Sequence, residues 1–160
     1  MQDRLAPTDS GVIPVQRPQV QYAVETQRID TQGSVARCKE AVLQLDTSSS
    51  GRTDAFNPVE LLLAAVSACM IKGVARVAPL LGFDYRSVSV KLRASRQDVP
   101  PHIARIEYEI LVDTEETDHR LNSLHENIRK FGTVSNTVAA GTSLTGTIRR
   151  LNGSTVANLR

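Results

Sequence analysis

Asn57 to Gly82 reads NPVELLLAAVSACMIKGVARVAPLLG, and this stretch decides the fold. Asn57 is a good N-cap, Pro58 suits the first helical position where its missing N–H would be unpaired anyway, and Glu60 completes a capping-box pattern. Gly82 is a natural residue to follow a helix end, and Pro79 is expected to kink or tighten the last turn. Between Leu61 and Ile71 every residue is apolar or small except Ser67. Such a segment has no solvent face, so the helix is expected to be buried all round. It would be roughly 35 Å long, about the width of a small domain, and one chain of this size would struggle to cover it. The apolar run falls short of the ~20 residues of a membrane span, and Lys72 and Arg76 follow at once. The stretch therefore reads as a central core helix with Cys69 in its middle, and no membrane partner is expected.

The rest of the chain fits one domain built around that helix. It has 160 residues, of which 41% are hydrophobic, enough for a real core. Its 19 basic and 17 acidic residues leave a net charge of +2. They are scattered singly with no basic run, which argues against nucleic acid as a partner. With three Tyr, three Phe and no Trp, the core must be filled by Leu, Val, Ile and Ala. Cys38 and Cys69 form no CxxC motif, and the N-terminus MQDRLAPTDSG lacks the apolar segment of a signal peptide, so a reducing cytoplasm is expected. His102, His119 and His125 have no ligand spacing; neither a metal nor another cofactor is implied.

Residues 1–18 carry Pro7, Pro14 and Pro18 among polar residues and read as an extended or disordered arm. Alternation at Val20, Tyr22 and Val24 predicts a strand, and Val35 to Leu45 one or two more. DTSSSGRTDAF, 46–56, is a polar loop. Beyond the long helix, Val88 to Ser95 and Arg105 to Val112 alternate as a strand hairpin around a turn at Gln97 to His102. Thr114 or Thr117 caps a second helix over Asp118 to Phe131, with Leu121, Leu124, Ile128 and Phe131 on its apolar side. A short helix over Thr133 to Ala140, stopped by Gly141, and a last strand over Leu144 to Ile148 complete the domain, 19–151. Residues 152–160 are a polar tail. Strands, helix, hairpin, helices, strand is the order of an α+β protein.

NPVELLLAAVSAC and KFGTVSNTVAAG, separated by the hairpin, resemble the OsmC/Ohr family of osmotically inducible and organic-hydroperoxide-resistance proteins. The resemblance covers roughly Val20 to Arg150. It implies antiparallel sheets wrapped around a long central helix in an intertwined homodimer, which would explain a helix too apolar for one chain to cover. It also implies reduction of hydroperoxides by a cysteine pair, with Cys69 as the attacking thiol. Two departures place the chain in an OsmC-like branch lacking the second cysteine. Gly132 stands where the resolving thiol is usual, and Val59 stands where a glutamate usually helps an arginine hold the thiolate. The arginine would be Arg28 or Arg37, from the first strands.

Each of these residues also has a plain structural reading. Cysteine is among the most buried residue types and is inert in apolar surroundings. Cys38 could resolve a Cys69 sulfenate only if the two Cα atoms came within about 7 Å; otherwise it is a strand residue. Glu60 is foremost a helix-start residue, His119 and His125 read as surface positions, and Ser135 and Asn136 as organisers of the short helix. The functional reading is a one-cysteine organic hydroperoxide peroxidase, recycled by external thiols, its substrate site roofed by Phe56, Phe131 and the leucines of the central helix and lined also by Glu60 and Gly132. The other reading is a non-catalytic binder of an apolar small molecule at the dimer interface.

Overall fold

The computed structural model describes residues 19–151; the expected arm, 1–18, and tail, 152–160, lie outside them. Three strands come first: β1 (Glu25–Arg28), β2 (Gly33–Cys38) and β3 (Ala41–Asp46) form an antiparallel meander. Asp30 shapes the first turn, its carboxylate accepting from the backbone N–H of Gln32 and Gly33 at 2.7 and 2.9 Å. The expected strand over Val20 to Val24 is not formed. All three alternating apolar residues are exposed, and without a buried face alternation alone does not select a strand.

The long helix α1 (Pro58–Leu81) starts and stops as its sequence dictates. Asn57 Oδ1 accepts from the N–H groups of Val59 and Glu60 at 2.9 and 3.0 Å, while Glu60 Oε2 accepts from the Asn57 N–H at 2.9 Å. Gly82 closes the helix in the left-handed conformation at φ 57°, where a Cβ would be strained. By length and mean hydropathy, 1.8, α1 could cross a membrane. Its packing is instead that of a core helix: Val66, Met70, Val74, Val77 and Ala78 are buried against the rest of the chain.

The second sheet supplies most of that cover. β4 (Ser87–Asp98) and β5 (Pro101–Asp113) form the expected hairpin, with a turn tighter than the sequence suggested, at Val99 and Pro100. β6 (Ser143–Arg150) pairs with β5 in parallel, so this sheet is mixed. Parallel pairing needs a long crossover, and α2 (Asp118–Phe131) and α3 (Thr133–Ala139) provide it. Thr117 caps α2, accepting from the Arg120 N–H, whereas Thr114 donates to the Asp84 carbonyl. Ile106, Tyr108, Ile110 and Val112 of β5 are buried, as are Leu121, Leu124 and Ile128 of α2. Phe131, expected on that apolar side, is 48% exposed, because the helix ends there and Arg76 and Lys130 cover its ring instead.

Within one chain α1 is not buried all round. Ala65, Ala68, Ile71, Lys72 and Ala75 are exposed, forming a stripe of mostly small side chains. The first sheet packs substantially on neither α1 nor the second sheet. Its link to the body is a parallel bridge between Leu45 and Phe56, with the Asp46 N–H donating to the Phe56 carbonyl at 2.9 Å. The architecture is thus the expected α+β arrangement, with the central helix covered on one side only.

Candidate functional site

Cys69 sits about 17 Å along α1 from its cap, given ~1.5 Å of rise per residue. It precedes the buried Met70 and follows the exposed Ala68, and is itself half-buried. The thiol therefore lies on the border between the covered face and the bare stripe. Lys72 and Gly73 are its neighbours one turn on, and Arg76 follows two turns on. Gly73 brings the second helix close: a Cβ there would stand 3.2 Å from Ile128 Cγ2. Arg76 is tied down, donating from Nη2 to the Phe131 carbonyl at 2.8 Å with its guanidinium carbon 5.8 Å from the Phe131 ring centre.

The two candidate arginines are elsewhere in the same chain. Arg28 closes its own turn, donating from Nε to the Asp30 carbonyl at 2.8 Å and from Nη2 to the Thr31 carbonyl at 3.5 Å. Arg37 is exposed on β2, opposite Val42 and Glu25. Both stand on the sheet that does not pack on α1. Cys38 is on that sheet too, and it and Cys69 are both free thiols.

The expected lining residues are equally dispersed within one chain. Phe56 is half exposed at the end of the 46–56 loop, bridged to Leu45. Glu60 has its carboxylate in the capping box. Gly132 is buried at the junction of α2 and α3 with φ −78°. A Cβ at Gly132 would meet Ser135 Cβ and the Ile128 carbonyl at 3.2 Å, so a side chain here requires Ser135 to give way. Asn136 stitches the same junction, its N–H donating to the Gly132 carbonyl at 2.8 Å and its amide to the Lys130 carbonyl at 3.2 Å.

His125 differs from its sequence reading. It is half-buried, with Nε2 2.8 Å from the Tyr108 hydroxyl and the two rings edge to face. Burial holds the imidazole below its ordinary value, helped by Arg129 and opposed by Glu126. Burial also raises the Tyr108 phenol, so the pair is neutral at neutral pH. The signal missed in the sequence was the i, i+4 spacing of Leu121 and His125, which carries His125 toward the edge of the buried face.

Among curated proteins none matches this sequence. Solved structures share its fold. An OsmC-like protein from Mycoplasma pneumoniae superposes with a TM-score of 0.77 at 14% identity, over 83% of this chain and 99% of that one. An organic hydroperoxide resistance protein from Elizabethkingia anophelis, with thiocyanate bound, gives 0.68 at 12% identity over 84% and 99%. The organic hydroperoxide resistance protein OhrB of Bacillus subtilis gives 0.59 at 14% identity over 81% and 98%. The sequence profile described as OsmC-like protein matches residues 50–146, more than half of the chain and all of α1, so this chain belongs to the OsmC-like family.

Proposed function

We propose that the protein is a homodimer that reduces organic hydroperoxides slowly through Cys69, a one-cysteine peroxidase of the cytoplasm. The observation that carries this reading is the position of Cys69, in mid-helix at the edge of a face that the described residues leave bare. A second copy laid on that stripe would cover the apolar helix and bring another subunit's Arg28 or Arg37 within range of the thiol. Ala65, Ala68 and Ala75 would allow two such helices to approach closely. The exposed apolar residues of the first sheet, Val42 at 57% and Leu43 at 38%, would be covered in the same assembly.

The chemistry needs no metal. The Cys69 thiolate attacks the outer oxygen of ROOH, the O–O bond breaks, and ROH leaves with a proton, so sulfur becomes a sulfenic acid. One external thiol displaces water to form a mixed disulfide, and a second thiol releases Cys69 and the external disulfide. The first step is fast only if a cation favours the thiolate, since an ordinary cysteine is about 3% ionised at pH 7. Gly132 supplies no resolving thiol, which supports dependence on external thiols. An apolar pocket would favour an alkyl or aryl peroxide over hydrogen peroxide.

The second reading, a non-catalytic binder of an apolar molecule at the same interface, is favoured by one observation: within one chain neither arginine approaches Cys69. Intact mass of the reduced protein after exposure to cumene hydroperoxide or hydrogen peroxide separates the two. Rapid addition of oxygen that is lost in Cys69→Ser and kept in Cys38→Ser is the expected result. A Cys69 that stays reduced for many minutes under excess peroxide sinks the peroxidase reading and leaves the binder.

A further inference from the structure

We propose that each subunit also carries a second ligand site, distinct from Cys69, that takes a small amphipathic monocarboxylate. A cavity of about 360 Å³ lies between α1, α2, α3 and the second sheet, within the size range of small-molecule pockets. Its floor is Met70, Ile110, Ile128 and Leu144, one residue from each of α1, β5, α2 and β6. Such a surface suits an alkyl chain, and Met70 can adapt to its shape. Cys69 is not part of the lining.

Polar groups converge at one side. Arg129 and Lys130, at the end of α2, border the cavity with Glu126. Neither cation forms an ion pair among the described residues, unlike Arg86, Arg120, Arg149 and Arg150. With Glu126 opposing them, the border carries one net positive charge, which matches a carboxylate better than a dianionic phosphate.

Ser135 supplies the second observation. It lines the cavity, is 6% exposed, and its hydroxyl is buried with no hydrogen-bond partner. An orphaned hydroxyl in a folded protein is costly and uncommon. Ser135 lines the same cavity as the two cations, so its hydroxyl is an unused donor for a ligand oxygen there.

The test is calorimetric titration of the full chain with octanoate, octanol and octylammonium at low salt. Octanoate is expected to bind, with the other two about tenfold weaker or worse, the loss associated with a charge-assisted hydrogen bond. Arg129→Gln should weaken octanoate about tenfold by the same reasoning. Ala139→Trp, at an exposed position on the rim, should abolish binding while leaving the fold intact. Ser135→Ala should weaken octanoate yet raise the melting temperature of the free protein, a pairing that a purely structural serine would not show. Cys69→Ser should bind as the parent does, whatever the outcome of the peroxidase assay. Equal binding of octanol and octanoate, no heat from octanoate with correctly folded protein, or loss of binding in Cys69→Ser would each overturn the proposal.

Discussion

Removing either half of the Tyr108–His125 pair tests whether this contact is a stabilising element of the core. The bond joins β5 to α2 at 2.8 Å, and Tyr108 is only 5% exposed. Tyr108→Phe deletes one hydrogen bond, worth ~1 kcal/mol, and orphans an imidazole nitrogen at a cost of ~1–3 kcal/mol if water cannot reach it. Because His125 is half-buried, water recovers part of that loss, and the expected decrease is about 1.5 kcal/mol. His125→Gln should cost a similar amount, and the double variant less than the sum by ~1 kcal/mol, the coupling expected of directly bonded groups. Urea unfolding at fixed protein concentration measures all four corners of the cycle.

The pH dependence supplies a second handle on the same pair. His125 titrates below the ordinary imidazole value because of its burial and, secondarily, Arg129. The unfolded chain therefore takes up this proton more readily than the folded one. Its contribution to stability is complete above the ordinary value of ~6.5 and declines as pH falls from there toward the lower folded value. Parent protein should lose more stability between about pH 7.5 and about pH 5.5 than His125→Gln does. Strict additivity of the two substitutions, or an identical pH response in His125→Gln, would refute this account of the contact.

Gly146 faces Tyr108 across the parallel pair of β5 and β6, and a Cβ there would stand 2.1 Å from the Tyr108 carbonyl oxygen and 2.5 Å from its ring. Gly146→Ala should therefore cost ~3 kcal/mol or more, visible as a large drop in melting temperature; a wild-type melting curve would show that the strands separate freely. Asn57→Ala removes the acceptor for two helix-start N–H groups and should cost ~1 kcal/mol in urea unfolding. It should also speed proteolysis within 46–56, the loop that enters the helix at this cap, and an unchanged cleavage rate would show that the cap does not govern the loop.

The framework that positions Cys69 was legible in the chain because it is local. The cap of α1 depends on Asn57, Pro58 and Glu60, all within one turn, and Gly82 acts through its own backbone. The helix fixes where Cys69 stands, but its role as a reactive thiol comes from the family resemblance and not from local spacing. The lining was less legible: Phe131 follows the apolar spacing of α2, yet it sits at the helix end, where no further turn covers it. Val20, Tyr22 and Val24 alternate as a strand should, but nothing among the described residues provides them with a buried face.

Sequence alone therefore determined the long helix, the hairpin, the burial of Leu121, Leu124 and Ile128 on α2 and the α+β class, since each rests on periodicity and on contacts within a few residues. Only the tertiary structure decided that β6 runs parallel to β5, that His125 meets Tyr108, and that the first sheet with Arg28 and Arg37 stands away from Cys69 in its own chain. These are pairings between residues far apart along the chain. They depend on which surfaces remain uncovered once the local elements have formed, and no local spacing encodes that.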